Sequence, residues 1–316
     1  MSANFNISFN KNNIDKFSNG ENNFKLYGSG WNGSAEPTFD YLVKEGGPIG
    51  QMYGYVTEGS YSFDDFNWNA TSQAWDLKAG VASDAALISA GKYFGPGALK
   101  LKDISGPNGV PDGKITEDDR TVIGNANPVH TGGFGLNSTV YGFDASVFFN
   151  WSVGNDIYNA NKLDNTAYLL TRKYQNLGAE MSLANRFTTI DPTTGYNVYY
   201  GTNANPARLQ ELNQNASIWH PIMTTTVFHS WAVEDGSFLR LSNLTIGYTL
   251  PKNISKKLHM ENFRLYASGY NLFCWTNYTG ADPEVSTRRS SPLTPGVDFS
   301  AYPKASSFVA GFNVTF

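Results

Sequence analysis

Between Asp103 and Asp119 the chain carries side-chain oxygens at spacings that resemble the second half of a calcium-binding loop. With Gly113 at the sharp turn, Asp119 falls at the final ligand position of such a loop. Val110 stands where another oxygen ligand is expected, so a turn in which Asp119 caps a short segment explains the same residues. The candidate ligands, in two alternative registers, are Asp103, Asn108, Asp112 and Asp119. A structural calcium ion and a metal-free turn are therefore alternatives, and neither implies catalysis.

Two carboxylate pairs have the residue types that glycoside hydrolysis uses, namely Glu234 with Asp235 and Asp282 with Glu284. Hydrolysis needs the two carboxyl groups roughly 5–9.5 Å apart, on either side of a sugar. Neighbouring residues of a strand point to opposite faces, so Glu234 and Asp235 form a poor pair. The histidines show no metal-ligand spacing, and neither a phosphate-binding loop nor a nucleophile elbow occurs. These patterns predict that the chain is not an enzyme.

Three tryptophans, Trp68, Trp75 and Trp219, lie in long segments without regular alternation. Flat rings of this kind can stack on the apolar faces of sugars or pack against peptides, which makes the three residues candidates for substrate binding. For any individual tryptophan, packing within the loops or contact with a partner protein is the simpler explanation. The single cysteine, Cys274, is predicted to be a buried small apolar residue and not a reactive thiol.

Composition narrows the class of protein that could hold these side chains in place. Of the 316 residues 15% are aromatic and only 16% are charged, against about 25% charged in typical soluble domains. The formal net charge of −4 argues against a nucleic-acid partner. No run of about 18 apolar residues encodes a transmembrane helix, but membrane strands are short and alternating and would escape such a search.

Apart from Val309, the residues from 307 to 316 alternate between polar or small and apolar side chains. Phe308, Phe312, Val314 and Phe316 fall on one face of a strand, because side chains alternate across its pleat. A patterned final strand with an aromatic last residue is typical of bacterial outer-membrane barrels, where it closes the barrel and signals assembly. The final core strand of a soluble sandwich would show the same alternation.

The predicted strands are joined by connections whose lengths alternate, a pattern that a soluble sandwich does not require. About seven antiparallel strands are predicted, at 3–10, within 24–55, and at 131–140, 143–154, 238–250, 263–275 and 307–316. Their connections alternate between short and long, as in barrels with short periplasmic turns and long extracellular loops. Seven strands do not close a bacterial barrel, and residues 1–10 show no signal peptide. We therefore expect the chain to be part of a longer polypeptide.

Several segments, in order along almost the whole chain, resemble the carboxy-terminal region of SusC/RagA-type TonB-dependent outer-membrane transporters. They are 45–55 (EGGPIGQMYGY), 111–124 (PDGKITEDDRTVIG), 127–134 (NPVHTGGF), 154–159 (GNDIYN), 233–251 (VEDGSFLRLSNLTIGYTLP), 264–273 (RLYASGYNLF), 278–285 (YTGADPEV) and the final strand. The resemblance implies an all-β fold, in which residues 1–316 form the carboxy-terminal arc of a 22-stranded transmembrane barrel. The plug domain and the amino-terminal strands would lie outside this sequence.

The resemblance also implies a function and a set of partners. These are import of oligosaccharides or peptides across the outer membrane of a Bacteroidetes-type Gram-negative cell, a SusD-like surface lipoprotein, the TonB complex acting through the missing amino-terminal region, the barrel assembly machinery and outer-membrane lipid. No cofactor is implied apart from the candidate calcium. The rival interpretation is a soluble β-rich carbohydrate-binding or glycoside hydrolase domain.

Overall fold

The computed structural model describes residues 1–17, 23–31, 35, 37–88, 91–168, 176–287 and 291–316. Strands dominate this part of the chain, and most of their pairings are antiparallel. The strands are β1 Ser2–Ser8, β2 Phe24–Tyr27, β3 Tyr41–Lys44, β4 Gln51–Gly54, β5 Thr57–Ser60, β6 Phe66–Asn69, β7 Ala74–Leu77, β8 Leu99–Leu101, β9 Thr121–Asn125, β10 His130–Val140, β11 Phe143–Val153, β12 Asp156–Asn159, β13 Val233–Asp235, β14 Phe238–Thr249, β15 Asn262–Thr276, β16 Val297–Asp298 and β17 Ser307–Thr315. The fold is all-β in class, as the sequence predicts.

Helices in the described residues are short and lie between the strands. The α-helices are α1 Ala85–Ile88, α2 Ala160–Thr166, α3 Pro206–Leu212 and α4 Lys252–Ser255. The single-turn 3-10 helices are Phe63–Asp65, Gly91–Tyr93, Glu117–Asp119, Ala179–Met181, Ser230–Ala232 and Lys256–Leu258. None of the helices in the described ranges is long and apolar enough to cross a membrane.

The largest sheet has six antiparallel strands among the described residues, in the order β1-β10-β11-β14-β15-β17. Strands β10 and β11 form a hairpin whose two turn residues, Tyr141 and Gly142, both have positive φ angles of 49° and 86°. This backbone matches the right-handed twist of the flanking strands. The other connections, 9–129, 154–237, 250–261 and 277–306, alternate so that the three longest ones lie at the same end of the sheet.

The predicted strand within 24–55 is not part of this large sheet. Its residues form β2, β3 and β4, which pair with β9 in a separate four-stranded sheet. Chain reversals divide the stretch into pieces of four residues, and β3 is almost fully buried. Residues 32–34 and 36 of the stretch lie outside the described part. The large sheet thus has six described strands where about seven were expected.

The buried apolar residues lie almost entirely in the segments that connect the six strands. One cluster surrounds Tyr55, Trp219 and Met223, and a second surrounds Tyr41, Tyr158 and Phe228. Smaller clusters form around Tyr199 and around Tyr61. The connecting segments therefore have their own hydrophobic core, built from the small sheets and short helices, and this core positions the sites described below.

Candidate functional site

One face of the six-stranded sheet is apolar along every strand, because the register aligns the apolar positions of neighbouring strands. Cα pairing places Phe5 opposite Phe134, Phe134 opposite Phe149, and Leu265 opposite Phe312. Paired residues share a face of the sheet. The apolar face consists of Phe5, Ile7, Phe134, Leu136, Val140, Phe143, Ala145, Val147, Phe149, Trp151, Leu239, Leu241, Leu244, Ile246, Tyr248, Phe263, Leu265, Ala267, Phe273, Trp275, Phe308, Ala310, Phe312 and Val314.

Irregularities in β14 and β15 keep this face continuous. In β14 the apolar positions change from odd numbers (Leu239, Leu241) to even numbers (Leu244, Ile246), which in an ideal strand would place them on opposite faces. Register shifts occur between Leu241 and Asn243 on both sides of the strand, and Asn271 on β15 adopts a φ of 51°. The bulge restores the alternation, so Leu241 and Leu244 lie on the same face.

The apolar face is exposed in the described structure. Phe312 is 66% exposed, Phe5 68%, Phe143 59% and Phe273 63%. A soluble monomer rarely exposes a contiguous apolar patch of more than a few hundred Å², because water contact with it is unfavourable. Phe308, Phe312, Val314 and Phe316 belong to or adjoin this face, and the structure pairs β17 with β15. Their assembly role stays a prediction.

The opposite face of the sheet is polar. An ion pair joins Asp144 on β11 to Arg264 on β15, with Arg264 Nη2 2.5 Å from Asp144 Oδ2. It crosses the intervening strand β14 over Gly247, where a Cβ atom would lie 2.5 Å from Arg264 Nη2. Cys274, half-buried, also belongs to this face, where it pairs in register with Arg240. Hydrophilic contacts therefore line the surface that faces away from the apolar side.

The carboxylates considered for hydrolysis are instead engaged in structural contacts. Asp282 Oδ1 lies 2.6 Å from Arg240 Nη2, and Glu284 Oε2 lies 2.9 Å from Nε of the same guanidinium. Both carboxylates thus attach the 277–306 connection to β14. Arg240 is nearly buried, at 5% exposure, so the pairing compensates the removal of its charge from water.

Glu234 has equally specific partners. Its carboxylate accepts hydrogen bonds from Asn159 and Thr279 and lies 3.3 Å from Lys162 Nζ. Burial raises the pKa of this carboxyl, but the hydrogen bonds and the lysine outweigh burial, and the net pKa is lowered. Asp235 is exposed and pairs in register with Asp156. Since these carboxylates hold structural partners, their geometry gives no support to a hydrolase.

The candidate calcium ligands are also occupied by groups of the protein. Asp119 is fully buried; its Oδ1 accepts the N–H groups of Ile104 and Ser105, and its Oδ2 accepts that of Thr116. Asp103 Oδ2 accepts the N–H of Gly113, and Asp112 accepts that of Lys114. In the described ranges, no group of three or more His, Cys, Asp or Glu could hold a metal ion.

The residues around Asp119 therefore fit a calcium ion poorly. Its side chain closes a capping box with Thr116 at the start of the 3-10 helix Glu117–Asp119. Both carboxylate oxygens satisfy backbone donors that would otherwise be buried without partners, which is costly in a protein interior. Asn108 lies in a nearby turn and shares no hydrogen bond with Asp119 among the described contacts. The geometry is that of a turn in which Asp119 caps a short segment: the Asp119 side chain is buried, whereas residues 107–114 of the turn are exposed.

The three candidate tryptophans do not form one platform. Trp219 is 3% exposed and packs against His229 and Trp231 in the core of the connecting segments. Trp68 and Trp75 pair edge to face across the β6–β7 hairpin, with ring centroids 5.2 Å apart. Trp75 Nε1 also donates to the carbonyl of Tyr199. Packing within the loops accounts for Trp219 and Trp75, while Trp68 keeps part of its ring accessible.

Two features escaped sequence reasoning. The first is the clamp of Arg240 by Asp282 and Glu284; its one sequence signal is an arginine inside an otherwise apolar strand segment, Phe238 to Leu241. The second is a cavity lined by Tyr93, Arg186 and His220. These three residues are distant in the sequence and follow no spacing rule, so no sequence pattern marks the cavity.

Solved structures share this fold. Over 99% of its length the chain superimposes on a structure described as the RagAB peptide transporter, with a TM-score of 0.64 and 18% identity. It covers 26% of that chain. An open-open state of the RagAB peptide importer gives a TM-score of 0.61 over the same share of the chain. At this identity the likeness concerns the fold alone.

Curated relatives extend the likeness to the sequence. The chain is 30% identical over 99% of its length to TonB-dependent receptor P3 of Formosa agariphila, and 27% identical to receptor P39 of the same organism. A segment of 86 residues is 34% identical to the TonB-dependent receptor SusC of Bacteroides thetaiotaomicron. The chain belongs to the SusC/RagA-type TonB-dependent receptors. No family model matches this receptor chain.

The receptor chain spans about a quarter of the relatives that it matches over its whole length, 26% of receptor P3 and 28% of receptor P39. These relatives are named as receptors and the superimposed structures as transporters, not as enzymes. The prediction that the chain is not an enzyme agrees with its family.

Proposed function

We propose that this chain forms part of the wall of a TonB-dependent transporter in the outer membrane, with its apolar sheet face in contact with lipid. The observation that carries the proposal is the exposed apolar face that continues across all six strands of the large sheet. Lipid-facing and lumen-facing residues alternate in the strands of membrane barrels. The polar face with the Asp144–Arg264 pair would then line the hydrated interior.

Lipid explains the apolar face better than a covering protein layer does. The connecting segments already bury their own apolar residues in separate clusters, so they leave the sheet face uncovered. Strands β14 and β15 have 12 and 15 residues, long enough for the roughly 9–11 that a tilted membrane strand needs. Strands β1 and β17 each pair with one described neighbour. In lipid their free edges would require further strands, since unsatisfied backbone groups are costly there.

The complete transporter would supply those strands. In this proposal residues 1–316 are the carboxy-terminal part of a 22-stranded barrel, and the plug domain and the TonB-contacting segment lie elsewhere in the polypeptide. The cargo is an oligosaccharide or a peptide, received together with a SusD-like surface lipoprotein. One of the superimposed structures is described as a peptide transporter, which supports the peptide alternative. The oligosaccharide alternative rests on the resemblance of the sequence.

Assembly of the barrel is assigned to the final strand. Phe308, Phe312, Val314 and Phe316 would be recognised by the barrel assembly machinery. The three phenylalanines are exposed and Val314 is partly exposed, which leaves them available for such a contact. A variant that lacks Ser307–Phe316 is expected to accumulate without inserting, because β15 would lose one of its two neighbouring strands and expose unpaired backbone groups. Normal insertion of that variant would contradict this assignment.

The test of the proposal compares the two faces of adjacent strands in the complete gene product, assembled in outer membranes. In a Cys274→Ser background, single cysteines carrying spin labels replace Ala145 and Ile246, which pair on the apolar face, or Ser146 and Thr245, which pair on the polar face. Labels on the apolar face should be relaxed by lipid-soluble oxygen. Labels on the polar face should be relaxed by a water-soluble nickel chelate.

The test depends on whether the accessibility of the labels alternates between the two faces, not on the exposure of any single residue. Equal accessibility of the four positions to the nickel chelate would show that water solvates both faces, and would overturn the proposal. Protection of Ala145 and Ile246 from both reagents would show that protein covers the apolar face. That result would favour a soluble sandwich.

A further inference from the structure

A cavity of about 600 Å³ opens among the connecting segments at one end of the sheet. Its main lining residues are Tyr93, Tyr168, Arg186, Phe187, Thr188 and His220. Residues 218–222 connect two parts of the cavity wall. Ile218 forms a parallel β-bridge with Arg186, and Ile222 forms one with Tyr168. The volume lies within the range of about 300–1,000 Å³ that is usual for small-molecule sites.

Arg186 distinguishes this cavity from the rest of the chain. Among the described residues the other arginines, Arg120, Arg208, Arg240 and Arg264, each form an ion pair with an aspartate or glutamate. Arg186 lines the cavity, is half-buried, and has no ion-pair partner among the described residues. Burial lowers the pKa of its guanidinium. A partly dehydrated cation without a counter-ion favours an anionic ligand.

His220 contributes a buried, neutral ring to the cavity wall. It is 2% exposed, and its Nε2 lies 2.9 Å from the carbonyl oxygen of Tyr93. A carbonyl can only accept a hydrogen bond, so Nε2 carries the ring proton. Burial lowers the pKa of His220 to about 4, so the ring is neutral at neutral pH. Its Nδ1 is then an acceptor, and this buried atom has no partner in the described structure.

Aromatic rings form part of the cavity wall. The His220 ring centroid lies 6.1 Å from that of Tyr93 and 6.3 Å from that of Phe187, and all three residues line the cavity. The cavity therefore offers a cationic donor and flat apolar surfaces. A matching ligand has an anionic group and an apolar side.

We propose that this cavity binds a carboxylate-bearing ligand, held by Arg186 and packed against the aromatic rings of the cavity wall. The inference rests on the proposed transport function and narrows its cargo to acidic oligosaccharides or to peptides with a free carboxy-terminus. Both sources present the same group. The planar guanidinium matches a carboxylate with two parallel hydrogen bonds, which a lysine cannot provide.

The experiment measures binding by calorimetry to the complete gene product, purified from outer membranes in detergent. Two matched pairs of probes separate charge from size. Trigalacturonate is compared with its methyl ester, and tetra-alanine is compared with its carboxy-terminal amide. In the unaltered protein at least one acid should bind about tenfold to a hundredfold more tightly than its neutral partner, as expected for charge-assisted hydrogen bonds.

Variants then test whether Arg186 is responsible for the tighter binding of the acid. Arg186→Gln should remove the preference for the acid over its neutral partner. Arg186→Lys should retain only part of this preference, because lysine keeps the positive charge but cannot form two parallel hydrogen bonds to a carboxylate. Lys102→Gln is the matched control, since it removes one exposed positive charge outside the cavity. If one acid alone is preferred, that acid identifies the source of the carboxylate.

Two results would overturn the inference. One is equal binding of acid and neutral probe in the unaltered protein, a comparison that needs no variant to fold. The other is an equal loss of preference in Lys102→Gln and Arg186→Gln. Either result, with the spin-label alternation intact, would reject the carboxylate site and leave the transporter proposal standing. Loss of the alternation alone would reject the transporter proposal.

Discussion

The six-stranded sheet and the segments that connect its strands use the same kinds of apolar residues in opposite ways. Trp275, on the sheet face, is 53% exposed, whereas Trp219, between the strands, is 3% exposed. The connecting segments form clusters of buried residues, and the sheet contributes almost none of them. The difference teaches that two environments exclude water from this chain. One is its own core, and the other is the lipid proposed above.

The largest effect is expected from removing a large side chain from the core of the connecting segments. Trp219→Ala should destabilise those segments by about 3–5 kcal/mol, since it leaves a cavity that neighbouring residues fill only in part. Site-resolved hydrogen exchange of the complete protein should show the loss around Tyr55 and Met223, which share its cluster. Trp275→Ala is the matched control on the sheet face and should leave that protection unchanged. Equal loss of protection in both variants would erase the distinction between the regions.

A charge on the sheet face should have the next largest effect. Ala310→Arg places a cation near the middle of β17, on the apolar face. In a membrane barrel this costs about 2–4 kcal/mol at the bilayer midplane. Asn313→Arg, on the polar face of the same strand, should cost far less. Urea unfolding of the two assembled variants measures the difference, and similar midpoints would indicate that water contacts both faces.

A dependence of stability on pH should be confined to the connecting segments. Burial raises the pKa of Asp84 to about 7, above its ordinary value of 3.8. The folded state therefore binds the proton more tightly than the unfolded state. The stability gained in this way is complete below pH about 4 and is lost as the pH rises through about 7.

Asp84→Asn removes this dependence. At pH 8 the amides around Leu99 and Leu101 should be more protected from hydrogen exchange in the variant than in the unaltered protein. This gain in protection should be smaller at pH 4. The N–H of Leu101 donates to Asp84 Oδ2, so this amide reports on the site directly. Exchange in β10 and β11 should not change with the substitution. A uniform shift across the sheet and the connecting segments would show that the carboxyl does not act locally.

The smallest effect is expected on the polar face of the sheet. Gly247→Ala would bring a methyl group into the path of the ion pair between Asp144 and Arg264. Partly exposed pairs of this kind contribute about 0.2–1 kcal/mol, so unfolding should shift only slightly. Asp144→Asn is the matched comparison, because it removes the pair without adding volume. If Gly247→Ala has no effect in the Asp144→Asn background, the pair accounts for the change.

Sequence patterns predicted the large sheet well, because alternation is a local property. The regular strands near 131–140, 143–154, 238–250, 263–275 and 307–316 are all present within a few residues. The prediction that the stretch 24–55 contributes a strand to the large sheet was wrong. Its short apolar runs form strands of a separate sheet, in which β3 is largely buried. Trp219 was predicted to lie in a loop, and it does, but its burial depends on His229 and Trp231, which pack against it.

By itself the sequence determined which residues form strands, which side of each strand is apolar, and which family the chain resembles. A period of two residues suffices for the first two, since side chains alternate whatever the strand pairs with. Tertiary structure alone decided that bulges keep Leu241 and Leu244 on one face, that Asp282 and Glu284 hold Arg240, and that Arg186 and His220 line the same cavity. Each of these depends on contacts between distant segments, whose register no local pattern specifies.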